Sequence, residues 1–264
     1  MSAANPETVL ITGASSGIGL ELAKCFAADG CRLILAARSR DALEKLADNL
    51  RRDHQVEAVV LPGDLSLPET PSRIFKELSA RKYSVDVLVN NAGFGAIGPF
   101  DKLSLERQLE MLQVNVNALT ALTGLFLPGM IERRRGGFLN VASLACFVPG
   151  PGMAVYYATK AFVLSFTEAL AGELEGTGLK VSALCPGPTS TNFGNVAGSK
   201  NVKLIRTHRM TGEEVARAGH RAFRRGRIVA VPGLQGKILV ALVRVTPRAF
   251  VRKIARKFNA FKRY

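Results

Sequence analysis

Seven short, almost wholly apolar runs alternate with longer stretches of helical spacing, and this alternation narrows the folds open to the chain more than any other feature. Val9–Thr12, Leu33–Ala37, Ala58–Leu61, Val85–Asn90, Phe138–Ala142, Val181–Cys185 and Ile228–Val231 read as strands. Gly17–Ala28, Asp41–Arg52, Glu69–Ala80, Leu105–Ile131 and Tyr156–Gly176 read as helices, the second with Leu43, Leu46, Ala47 and Leu50 on one face. Strands apolar at nearly every position belong in a parallel sheet covered on both sides, because a half-exposed sheet would alternate polar and apolar residues. Right-handed crossovers then give an α/β fold, a doubly wound parallel sheet of about seven strands with helices on both faces. No repeat or dividing linker interrupts the pattern, so residues 1–264 read as a single domain.

A chain of this length buries roughly three-quarters of its unfolded surface, enough to fold without a disulfide or a metal. Cys25, Cys31, Cys146 and Cys185 have no C-x-x-C spacing, which suits buried thiols in a reducing compartment. His54, His208 and His220 are scattered and show no ligand spacing, so no metal is expected. Met1–Thr8 has neither a basic nor an apolar region of the secretory kind, and no run of about 18 apolar residues occurs. Neither a signal peptide nor a transmembrane helix is expected, and a cytoplasmic location is.

The first strand runs straight into Thr12-Gly13-Ala14-Ser15-Ser16-Gly17-Ile18-Gly19 and then a helix. Glycines there permit a tight turn and let backbone N–H groups approach a pyrophosphate, which the helix N-terminus also favours. The plain alternative is a glycine-rich βα turn with no ligand, and the strand–turn–helix setting argues against it.

The spacing T-G-x-x-x-G-x-G resembles the short-chain dehydrogenase/reductase family, and the resemblance recurs in order along the chain. Asn90-Asn91-Ala92-Gly93 matches the family's N-N-A-G, and Asn115 sits at its active-site asparagine. Ser143 follows the fifth strand, and Tyr156-Tyr157-Ala158-Thr159-Lys160 reads as Y-x-x-x-K thirteen residues later. Pro186-Gly187 follows the sixth strand. These motifs span residues 8 to about 191 and imply a single-domain Rossmann-like fold.

The Y-x-x-x-K spacing has a physical reason. Positions i and i+4 share a helix face, so Lys160 can set its ammonium near the Tyr156 phenol and favour the phenolate. A tyrosine so tuned can give a proton to a carbonyl oxygen or take one from an alcohol. Tyr157 lacks the i+4 relation to Lys160 and is expected to point to a different face. The resemblance implies further roles: Lys160 also holds the nicotinamide ribose, Ser143 hydrogen-bonds the substrate oxygen, and Asn115 completes a proton relay through water and Lys160. The catalytic set is therefore Asn115, Ser143, Tyr156 and Lys160.

Cofactor choice turns on the end of the second strand. An acidic residue there would accept from the ribose 2′-OH of NAD. The chain instead has Ala37-Arg38-Ser39-Arg40, and Arg38 can pair with a 2′-phosphate. NADP(H) is thus expected over NAD(H). The resemblance adds Asp64 at the adenine and Pro186-Gly187-Pro188-Thr189-Ser190-Thr191 near the nicotinamide, with Thr189 replacing the usual apolar residue. The expected cofactor contacts are Gly13, Ser15, Ser16, Gly17, Ile18 and Gly19 in the loop, then Arg38, Asp64, Asn91, Ala92 and Gly93, then Tyr156, Lys160, Pro186, Gly187, Thr189 and Thr191.

Phe94, Leu144, Phe147, Met153 and Phe193 are candidate substrate walls and favour an apolar or extended carbonyl compound. Residues 187–211, long, polar and poorly periodic, suit a lid. Together these features imply an NADP(H)-dependent oxidoreductase interconverting a ketone or aldehyde and an alcohol. Epimerase or dehydratase chemistry, and a dinucleotide-sensing or membrane-associated scaffold, are the rivals.

The formal net charge is +15, and fourteen Lys and Arg lie in the last fifty residues with no Asp or Glu after Glu214. Thr246-Pro247 reads as a helix start, with Thr246 as N-cap and Pro247 at the first helical position. Residues 246–264 form a basic amphipathic helix with Phe250, Val251, Ile254, Ala255, Phe258 and Phe261 on its apolar side. Such a helix can dock on its own domain, join a homodimer or homotetramer, or lie weakly on an anionic membrane. The first two readings are preferred, and nucleic acid is not expected as a partner.

Overall fold

The computed structural model describes residues 6–190 and 210–258, with the Phe258 side chain left aside. Seven parallel strands form the sheet: β1 (Thr8–Thr12), β2 (Arg32–Ala37), β3 (Ala58–Pro62), β4 (Val87–Asn90), β5 (Gly137–Val141), β6 (Lys180–Leu184) and β9 (Val229–Ala230). Their spatial order is β3-β2-β1-β4-β5-β6-β9. The order reverses between β1 and β4, which pair in register from Val9↔Val87 to Ile11↔Val89. Ligands of open α/β sheets sit beyond the carboxyl ends of strands at such a reversal. A second, two-stranded parallel sheet pairs β7 (Thr189–Ser190) with β8 (Met210–Thr211).

Alternate side chains of each strand feed opposite cores, and this explains why the strands read as continuous apolar runs. Val9 and Ile11 of β1 pack with α1 (Gly17–Ala28), α2 (Arg40–His54) and α7 (Gly212–Arg224) through Leu22, Leu43 and Phe223. Leu10, between them, joins the other core with α3 (Thr70–Ala80), α5 (Ala118–Arg133) and α6 (Ala154–Glu173) through Ile74, Phe126 and Leu170. A one-residue slip of β1 would exchange the two sets.

The stretch read as one helix from Leu105 is α4 (Leu105–Leu112), a single π-turn (Gln113–Asn117) and then α5. The combined run, Leu105–Arg133, is long and apolar enough to cross a membrane by length and composition alone. In this fold Ala118, Leu122, Phe126 and Met130 pack it on the sheet. The π-turn inserts one extra backbone position and turns Asn115 inward, where it is buried.

Two helices frame the C-terminal region, α8 (Leu234–Val245) and α9 (Arg248–Phe258). Thr246 does not cap the second of them. Its hydroxyl donates 2.7 Å back to the Leu242 carbonyl and closes α8. The Pro247 carbonyl accepts from Phe250 and Val251, so α9 begins one residue later than its sequence suggests.

Candidate active site

The loop after β1 can exist only with glycine at its corners. Gly13 has φ +65°, and a Cβ there would lie 2.9 Å from the Ala92 Cα. A Cβ on Gly19 would lie 2.4 Å from the Gly13 carbonyl oxygen. The Thr12 hydroxyl donates to Val89 O and accepts from the N–H groups of Asn91 and Ala92 at 3.0 and 3.1 Å. The Asn91 amide in turn donates to Thr12 O and Gly13 O at 2.9 and 3.1 Å. Two distant motifs thus form one rigid unit across the strand-order reversal. Ser16 sits extended at the N-cap of α1 with no side-chain cap, which leaves the first-turn N–H groups for another acceptor.

Ser143, Tyr156 and Lys160 meet where β5 ends. Ser143 caps the short 3₁₀ turn Leu144–Phe147 by accepting from Ala145 N at 3.1 Å, and it shares a hydrogen bond with the Tyr156 phenol. Lys160, one turn along α6, donates 2.8 Å to the Val141 carbonyl with its Nζ 6.0 Å from the Tyr156 ring centre. Gly93 makes room for this approach, since a Cβ there would lie 2.9 Å from Asn115 Oδ1 and 3.3 Å from Lys160 Nζ.

Asn115 is a lock on the neighbouring loop. Its oxygen accepts from Phe94 N at 3.1 Å while its amide donates to Phe94 O and Thr159 Oγ1, each at 3.0 Å. Phe94 is held from outside as well, with the Arg107 guanidinium 3.9 Å from its ring centre.

The electrostatics of the tyrosine differ from the sequence expectation. Burial pushes the Tyr156 phenol up to about 12, outweighing the opposing hydrogen bond with Ser143. Lys160 is pulled down to about 8 by burial, with Cys146 and Cys185 opposing. The physical reason is that desolvation disfavours both charged forms more than the two groups favour each other. At neutral pH the phenol therefore keeps its proton, as a proton donor must.

A cleft of about 1310 Å³ joins these parts. Gly13, Ser15, Ser16, Gly17 and Ile18 line it from the loop, and Arg38 and Asp64 from the ends of β2 and β3. Asn91, Ala92, Gly93, Tyr156 and Lys160 line its middle, with Pro186, Gly187 and Thr189 opposite. Asp64 is partly buried, which would raise its carboxyl, yet hydrogen bonds from Ser66 and the Arg38 charge hold it below the usual carboxylate range. Gly19 and Asn115 stand behind the wall rather than in it, and Thr191 and Phe193 lie outside the described residues, as does most of the expected lid.

Phe94, Leu144 and Met153 line the cleft, whereas Phe147 packs into the small core around Val163 and Ala183. Tyr157 does not point away as expected: it shares the wall with Tyr156, their rings 6.0 Å apart, and lies flat against Gly150. Sequence reasoning did not find the far wall. Leu239, Leu242 and Val243 of α8 and Phe250, Val251 and Ile254 of α9 extend the cleft beyond the sheet. The signal was the apolar run 238–245, whose spacing suits a helix with two apolar faces.

The sequence profile described as short chain dehydrogenase matches residues 7–201. A short chain dehydrogenase of Pseudocercospora fijiensis is 36% identical over 190 residues, 71% of this chain and 61% of that relative. The chain thus matches under two-thirds of that relative's length. A short-chain dehydrogenase from Sphingobium yanoikuyae, solved in complex with NADPH, is 32% identical with a TM-score of 0.80, covering 92% of this chain and 97% of the other. A short chain dehydrogenase/reductase from Burkholderia phymatum, solved in complex with NAD, is 26% identical with a TM-score of 0.80, covering 93% and 94%. The motifs, the strand order and these likenesses agree, and the chain belongs to the short-chain dehydrogenase family.

Proposed function

We propose that this protein is an NADP(H)-dependent oxidoreductase that interconverts a ketone or aldehyde and an alcohol, acting on an apolar or extended substrate. The observation that carries the reading is the meeting of Ser143, Tyr156 and Lys160 in one cleft with the glycine loop. The residues suit a dinucleotide: Gly13 and Gly19 let the loop fold tightly beneath the cleft where side chains would clash, and α1 presents uncapped N–H groups beside it. A bound nicotinamide dinucleotide supplies the hydride that a carbonyl carbon accepts.

The chain's own groups handle the oxygen. Ser143 hydrogen-bonds the carbonyl oxygen as negative charge grows there. Tyr156 passes its phenolic proton to that oxygen, leaving an alcohol and a phenolate, and runs the step backwards for oxidation. The Lys160 ammonium stabilises that phenolate and hydrogen-bonds the ribose. Asn115 fixes the Phe94 loop that closes one side, and its oxygen and the Lys160 ammonium both lie beside Gly93, a placement that suits proton return through water.

Preference for NADP(H) rests on Ala37 and Arg38. No carboxylate ends β2, and the exposed Arg38 guanidinium faces the cleft where a 2′-phosphate would lie. A panel of carbonyls and alcohols followed by NADPH absorbance tests the reading. Turnover is expected with bulky apolar ketones, and Tyr156→Phe should lower it by about 10²–10⁴-fold while NADPH binding persists. Wild-type protein that binds NADPH and turns over nothing in the panel would instead support the dinucleotide-sensing rival.

A further inference from the structure

The apolar residues of α8 face two ways. Gly236 and Val240 are buried and Leu239 and Val243 line the cleft, as a packed helix requires. Yet Leu234, Ile238, Leu242 and Val245 form a second stripe at helical spacing, 73%, 52%, 57% and 80% exposed, that runs from the cleft's rim at Leu234 and Leu242 onto the outer surface at Ile238 and Val245. On α9, Val251 and Ala255 are buried while Phe250 and Ile254 continue the exposed apolar edge. A globular chain ordinarily buries such a face, and one left in water marks a contact surface.

The charges on these two helices are all of one sign. Lys237 and Arg244 on α8, and Arg252, Lys253, Arg256 and Lys257 on α9, are exposed. None of them joins an ion pair among the described residues. A second copy of this face would bring the same cations. Only an apolar partner with negative charge at its rim satisfies both observations.

We propose that α8 and α9 dock on an anionic phospholipid bilayer, lying in its interface so that the cleft opens against the lipid and takes a lipophilic carbonyl or alcohol from it. The twelve residues of α8 extend about 18 Å, too short to span a hydrocarbon core of roughly 30 Å but long enough to lie along its surface. Leu239, Leu242, Phe250 and Ile254 line the cleft that ends at Tyr156, so the docked face and the reacting end share one cavity. The delivery of substrate rests on the oxidoreductase reading; the docking does not.

Co-sedimentation of the full chain with phosphatidylcholine vesicles, with and without about 30 mol% phosphatidylglycerol, tests the docking. Binding is expected only to the anionic vesicles and should weaken in salt of about 0.5 M. Replacing Arg252, Lys253, Arg256 and Lys257 together by Gln should weaken it at least about tenfold. Ile238→Ser with Val245→Ser should do the same through lost burial, at least about tenfold. None of these six side chains lines the cleft, so unchanged NADPH fluorescence shows that each variant is folded. Equal sedimentation of wild type and both variants overturns the docking. So does an oligomer that the serine variant splits in analytical ultracentrifugation with vesicle binding unchanged, since a second copy would then cover the face. For delivery, anionic vesicles should raise turnover of a poorly water-soluble ketone but not of a soluble one, and equal responses overturn it. Vesicle binding without turnover of any ketone removes the oxidoreductase reading and the delivery with it, while the docking stands.

Discussion

Lys160 is a buried ammonium, and that placement works against folding. It donates to the Val141 carbonyl, and burial lowers it from 10.5 to about 8. The folded form is depressed relative to the unfolded chain, so between pH 8 and 10.5 the unfolded state binds more protons and stability rises with pH. Below pH 8 both states are protonated and the full cost, on the order of 3 kcal/mol, is present. Lys160→Met should therefore be more stable than wild type at pH 7, by less than that figure because the Val141 hydrogen bond is lost. Its advantage should shrink steadily between pH 8 and 10. Tyr156, raised from 10.0 to about 12, adds its own pH dependence only from about pH 10 upward, and equally in both proteins. Denaturant melts at four pH values would decide the point, and a constant difference between the two proteins would contradict it. Arg38 acts on the other end of the cleft. Arg38→Ser removes a charge-assisted contact worth about 1.5–3 kcal/mol, so the NADPH-over-NADH ratio of kcat/KM should fall roughly 10–150-fold. A ratio unchanged by the substitution would mean that the 2′-phosphate is read elsewhere.

Elements, more than single groups, hold the cofactor cradle in shape. Gly19 is absent from the cleft wall, yet a methyl there would collide with the Gly13 carbonyl at 2.4 Å, backbone against backbone. Gly19→Ala should thus weaken NADPH binding at least tenfold, on the order of 1.4 kcal/mol or more, although the residue does not line the cleft. Isothermal titration would show it, and wild-type affinity would mean that the loop moves freely. A contrasting case is the start of α7. Thr211 accepts from Glu214 N at 3.1 Å and Glu214 answers Thr211 N at 2.8 Å, a complete capping box. Thr211→Ala should cost about 1 kcal/mol of stability. The strands were legible in the sequence because two-sided burial makes every position apolar, and the catalytic register was legible because a helix fixes Tyr156 against Lys160. The direction of the Tyr156 shift was not, because it depends on a balance of burial and charge that spacing does not encode. Nor was the inward turn of Asn115, which one extra residue in a π-turn produces. The outward stripe on α8 escaped for a related reason, since periodicity reports that a helix has apolar faces without saying whether each is covered.

At the scale of the molecule, the sheet and its two helical layers make one unit, and α8 and α9 extend the cleft outward from it. The seven strands and both large cores are complete without α9, whose buried side chains among those described are Val251 and Ala255. Burying two residues of that size is worth on the order of 2–3 kcal/mol, a modest part of the stability of a chain this long. A chain ended at Thr246 should therefore fold, bind NADPH with unchanged affinity and keep the Ser143–Tyr156 hydrogen bond. What it loses is the Phe250 and Ile254 wall of the cleft. On the proposed reading that wall would meet substrate far from the reacting carbonyl, so its contacts should be equally strong in the ground and transition states. Their removal should raise KM for a bulky apolar ketone about tenfold or more while leaving kcat nearly intact, with a small ketone unaffected. A fall in kcat for both substrates would instead tie α9 to the geometry of Tyr156 itself, and loss of NADPH binding would make the outer helices part of the cradle.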